Sequence, residues 1–142
     1  MHSSTIVLLP PGTTGLWEAG VERLKPHRLD EDGPPGQVWH LDYWTVGDER
    51  LDDAETAAAL GVADDSDLAK NVSIASRLPP DFRCAAVVTP DGVWHDLFDR
   101  GRTFPGRDTP ECLEASDRWD AEVRDLLAAY PDHIVVEFDT HS

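Results

Sequence analysis

Three short pairings of imidazole and carboxylate are the first groups in this sequence able to do chemistry. His40 and Asp42 lie two residues apart, Asp139 and His141 lie two apart, and His95 is followed by Asp96. On an extended strand, residues two apart project to the same side, so each of the first two pairs presents a nitrogen and an oxygen donor together. Such donors suit zinc or another divalent transition ion. The same groups can also serve as a general acid and base. His40, Asp42, His95, Asp139 and His141 are therefore the candidate metal ligands, on the condition that their three segments meet in one sheet. No HExxH or CxxC spacing accompanies them, and ordinary solvated strand residues are the competing reading. No motif calls for a cofactor, and a divalent metal is the one that these residues admit.

Arg100, Arg102 and Arg107, interleaved with Gly101 and Gly106, form a second candidate. Guanidinium groups on a glycine-bearing loop can clamp a phosphate or carboxylate. Charge balance with Asp96, Asp99 and Asp108 is the plainer explanation. Cys112, early in a helix, has acidic neighbours that disfavour a thiolate. Pro11-Gly12-Thr13-Thr14-Gly15 lacks the Lys and Ser/Thr of a phosphate loop and reads as a turn.

Charge bounds the partners. The 142 residues carry 28 acids against 12 Lys and Arg, a formal charge of −16. That excludes general nucleic-acid binding, which needs a basic face, and argues against docking on anionic membranes. Residues 1–71 contribute −9 and residues 72–142 contribute −7, so the acidity is not a tail. Asp outnumbers Glu by 19 to 9 and Arg outnumbers Lys by 10 to 2, a bias that GC-rich coding or salt adaptation also produces. As a binding surface, the acidity would meet a protein partner with a basic face. The expected contacts are Asp30, Glu31 and Asp32, the run Asp64, Asp65 and Asp67, and Trp44, which lies on the strand face opposite Trp39. Two cysteines are too few for a disulfide framework. With no secretory or membrane-spanning run in the sequence, the expected compartment is the cytoplasm.

These residues must be positioned by a single α+β domain with a mixed sheet of five strands and helices packed on it, in the order β-α-β-α-α-β-β-α-β. Thr5–Leu9 reads as a buried strand, and Trp17, Val21 and Leu24 mark a helix over 15–25, stopped by Pro26. Val38–Val46 alternates as a strand with Trp39, Leu41 and Tyr43 on one face. Asp52 caps a short Ala-rich helix ending at Gly61, and a second helix is expected over 65–78. Phe82–Thr89 and Val93–Phe98 flank the Pro90-Asp91-Gly92 turn as a hairpin. Thr109 and Pro110 open a helix that Pro131 stops, and His133–Asp139 is the last strand.

The second half, with Val88-Thr89-Pro90-Asp91-Gly92-Val93-Trp94-His95, Trp119, Leu126-Leu127 and Ile134–His141, resembles small uncharacterised acidic proteins of GC-rich bacteria, their phages and mobile elements. The resemblance carries no assigned activity. It implies an accessory or defence-related role and no catalytic residues. The leading functional expectation is a protein-binding domain of accessory, inhibitor or immunity type. The alternatives are a small metal-dependent enzyme or metal-binding domain on the His and Asp residues, and an anion or small-molecule binder on the Arg loop.

Overall fold

The two apolar runs nearest the ends of the chain find each other. In the computed structural model, which describes residues 1–97 and 110–142, β1 (His2–Leu9) pairs antiparallel with β6 (Ile134–His141) along its whole length. His2 stands opposite His141 and Leu9 opposite Ile134. The remaining elements are α1 (Leu16–Leu24), β2 (Tyr43–Val46), α2 (Ala54–Ala59), β3 (Val72–Ile74), β4 (Ala86–Val88), β5 (Trp94–Asp96) and α3 (Pro110–Ala129). They build an α+β fold on a six-stranded sheet in which β1 and β4 run parallel and the other pairings are antiparallel. Its path is β2-β6-β1-β4-β5, and β3 also pairs with β6. β2 takes the Phe138–His141 end of β6 and β3 the Ile134–Val136 end, so two short strands share one edge.

Both faces of the central strands are covered, which is why Ile6-Val7-Leu8-Leu9 is apolar without alternation. Val7, Leu9, Val136 and Phe138 meet Leu16 and Leu24 of α1 and Ala57 of α2 on one face. Ile6, Leu8 and Val135 meet Trp119 and Val123 of α3 on the other. Trp119 donates its indole N–H to the Cys84 carbonyl at 2.7 Å, which satisfies the polar end of a buried ring. Gly20 lets α1 lie against Phe138, because a Cβ there would sit 2.6 Å from the ring edge.

Three local expectations are corrected. Residues 65–78 are not a helix. Val72-Ser73-Ile74 is an edge strand followed by a 3₁₀ turn over Ala75–Arg77. Leu68, Val72 and Ala75 do recur at helical spacing, but the open edge of β6 offers β-branched Val72 and Ile74 a ladder, and tertiary pairing overrides the local period. The strand expected over Val38–Val46 is confined to Tyr43–Val46. Trp39 and Leu41 therefore do not share a face of that strand: Trp39 is 42% exposed, while Leu41 is buried. The cap of α2 is Asp53, whose carboxylate accepts the Thr56 N–H at 3.2 Å, and not Asp52. No helix among the described residues is long and apolar enough to cross a membrane.

Candidate functional site

Period-two alternation carries β1 and β6 past the apolar patch that α3 covers and exposes polar residues on the same face. His2 and Ser4 follow Ile6 outward on β1, and Asp139 and His141 follow Glu137 on β6. β2 adds Tyr43 beside His141. Here His2 Nδ1 lies 3.0 Å from Asp139 Oδ2, and His141 Nδ1 lies 2.7 Å from Asp42 Oδ1. A carboxylate only accepts, so both Nδ1 atoms carry hydrogen. The imidazoles stand 5.0 Å apart, Tyr43 stacks on His141 at 4.7 Å, and the Tyr43 hydroxyl reaches His2 Nε2 at 3.4 Å. The hydrogen bond from His141 holds the Asp42 carboxyl below its ordinary range.

This cluster unites Asp42, Asp139 and His141 of the five expected metal ligands. His40 and His95 lie elsewhere. His40 stacks on Trp94 at 4.9 Å, with His27 against both rings, and its Nδ1 is 3.8 Å from Asp96 Oδ2. Trp94 packs against the α1 side of the sheet. His95 faces α3, 3.7 Å from Glu122. The three segments therefore do not converge. Among the described residues, no group of three or more His, Cys, Asp or Glu is placed to hold a metal ion. His2 and Tyr43 take the places that His40 and His95 were expected to fill. The signal for His2 was present: counting back by twos from Ile6 reaches it.

A second polar grouping sits where β2 gives way to β3. Glu137 is fully buried, opposite Ile6, and its Oε2 has no hydrogen-bond partner. Burial, and then the Asp48 carboxylate beside it, push its carboxyl up to about 8. Asp48 is correspondingly lowered, first by its neighbour Glu137, and is held by Arg50 at 2.9 Å. Sequence reading passed over Glu137, although a lone acid inside Ile134-Val135-Val136-Glu137-Phe138 marks a buried ionisable group. The chain leaves this point through Glu49 and Asp52, which adopt positive φ of 68° and 34°. Beside them opens a polar cleft of about 240 Å³ lined by Arg50, Asp52, Asp53, Ser73 and Arg77. Its interior is internally satisfied. Asp53 Oδ2 accepts from Arg77 at 2.9 Å, Ser73 at 2.8 Å and Thr56 at 2.6 Å, and its carboxyl is strongly lowered, first by Arg77.

The expected partner contacts are at the surface. Asp30, Glu31, Asp32, Asp64, Asp65 and Asp67 are all exposed. Trp44 is half-buried against the α1-side core with the Arg28 guanidinium 5.5 Å from its ring centre. Arg100, Arg102 and Arg107 lie outside the described residues. Among the rest of the chain, the exposed apolar side chains include Val38, Trp39 and Val93, which adjoin the His40–Trp94 stack along the backbone. No protein-family model, curated protein or solved structure matches this chain.

Proposed function

We propose that the protein is a binding module that docks the basic face of a protein partner through the loop spanning residues 29–40. One observation carries the reading: Trp39 stands 42% exposed on a loop that also bears Asp30, Glu31 and Asp32. The loop is closed at its base. Leu29 N–H donates to Leu41 O at 2.7 Å and His40 N–H to His27 O at 2.8 Å, while the buried Leu41 side chain anchors it in the core. Closure at the base reduces the freedom that the loop must lose on binding. An aromatic anchor beside a polar, charged rim is the common anatomy of protein interfaces. The charge of −16 selects cationic partners and speeds their encounter.

The test is affinity capture from the native host at about 50 mM and about 500 mM salt, with wild-type and Trp39→Ala baits side by side. One protein, of basic surface, is expected on the wild-type bait at low salt. Its recovery falls at least about tenfold with Trp39→Ala, in keeping with an interfacial aromatic, and falls again at high salt. Recovery indifferent to both the variant and the salt overturns the reading.

A further inference from the structure

The two imidazoles at the end of the sheet are arranged in a way that a docking loop elsewhere on the molecule does not explain. His2 and His141 are direct register partners on adjacent strands, on one face, with rings 5.0 Å apart. Each has its Nδ1 engaged by its own carboxylate, Asp139 for one and Asp42 for the other. That leaves Nε2 as the nitrogen available to a ligand, and it fixes the ring plane. A carboxylate behind a histidine is the usual support of a metal-ligating imidazole, where it orients the ring and raises its basicity. Here the support occurs twice in register. The face is open to solvent, since the His2 side chain is 57% exposed, and Tyr43 sets a hydroxyl 3.4 Å from the His2 Nε2.

We propose that His2 and His141 form a two-imidazole site for a borderline divalent transition ion such as Zn²⁺ or Ni²⁺. The ion takes the two Nε2 atoms as ligands, displaces the Tyr43 hydroxyl from His2, and completes its shell with water. Asp42 and Asp139 stay behind the rings as positioning residues, and their negative charges offset the dication. Imidazole donors favour zinc, nickel and copper over magnesium or calcium. Two protein ligands and an open shell give an exchangeable site rather than a closed structural one. The absence of a group of three protein ligands among the described residues is consistent with this, because two is the number proposed.

The experiment is calorimetric titration of the full chain with ZnCl₂ and with NiCl₂, read together with the imidazole proton resonances. The expected result is one ion per chain, with shifts confined to His2 and His141, and no response to MgCl₂. His141→Ala weakens binding at least about tenfold; it leaves the terminal amine intact, so metal held at the chain terminus is told apart. Asp42→Asn weakens binding about 10- to 100-fold, the usual size for loss of a ligand's carboxylate support, while His95→Ala leaves it unchanged. Circular dichroism of each variant establishes that it is folded. No binding at metal concentrations up to about 100 μM, well above chain concentration and with the shell left open for water, overturns the proposal. Binding that survives His141→Ala, or that shifts His27 and His40 instead, does so as well.

Discussion

Replacing Glu137 with Gln changes one hydroxyl to an amide in a buried site and removes its ionisation. In the native state the Glu137 carboxyl keeps its proton up to about pH 8 because it is buried and faces Asp48. In the unfolded chain it loses that proton near its usual 4.5. Between those two values the unfolded state releases a proton that the folded state retains. The contribution of Glu137 is therefore fully present below pH 4.5 and is lost as pH rises, by about 1.4 kcal/mol per pH unit. Above about pH 8 both states are ionised and the loss stops growing. It totals on the order of several kcal/mol. The substituted amide carries no charge at any pH. The Glu137→Gln variant is therefore expected to match wild type within about 1 kcal/mol at about pH 5 and to exceed its stability by several kcal/mol at about pH 9. Urea unfolding followed by tryptophan fluorescence measures both, because Trp119 is buried in the same cluster as Ile6 and Val135. Taking the difference between variant and wild type cancels the general self-repulsion of a chain at −16. A variant-minus-wild-type difference that stays constant from about pH 5 to 9 refutes the reasoning, since no ionisation at Glu137 would then be linked to folding.

Other perturbations follow from the same contacts. Gly20→Ala puts a methyl 2.6 Å from the Phe138 ring and is expected to destabilise by about 1–3 kcal/mol in denaturant melts, against the small gain usual for Gly→Ala in a helix. Asp53→Ala removes the α2 cap together with the acceptor of Ser73 and Arg77, and costs about 2–4 kcal/mol at neutral pH. Because the Asp53 carboxyl is lowered in the native state, that cost shrinks in acid melts as pH drops through its native titration range. Burial pushes the Cys84 thiol up to about 12 while Cys112 is partly accessible, so iodoacetamide at neutral pH is expected to modify Cys112 first and Cys84 only after unfolding.

Much of the architecture was legible because it rests on local signals. Pro26 and Pro131 stop α1 and α3 where expected, and the Pro90-Asp91-Gly92 turn closes β4 onto β5 with Val88 opposite Trp94. The strand at 72–74 was not legible, since what makes it a strand is an unoccupied stretch of β6 about sixty residues further along the chain. The metal candidates show the same division. That Asp139 and His141 share a side follows from the period of a strand. That Asp42 reaches His141, and that His2 rather than His40 is the second imidazole, follows from a register between the two ends of the chain. His40 was misplaced because its segment is not a continuous strand: the chain bends at His40 and Asp42 around an isolated bridge at Leu41, and the ring finds Trp94.

The net charge gains meaning once the cations are located. In sequence, the interleaved bases dilute the acidity and argue against one continuous acidic surface. In the fold, Lys25 pairs with Glu22, Arg50 with Asp48, Lys70 with Glu49, Arg77 with Asp53 and Arg83 with Asp120. Arg23 and Arg28 donate to the carbonyls of Pro90 and Asp42. The pairs of Lys25, Arg50 and Lys70, exposed on both sides, contribute little to stability, yet all five cancel charge locally. The acids at 30–32 and 64–67 are joined to none of these cations among the described residues. These two segments are exposed, and one of them carries Trp39. Composition can set the size of the charge. That the acids at 30–32 share a closed loop with an exposed aromatic side chain is a property of the fold.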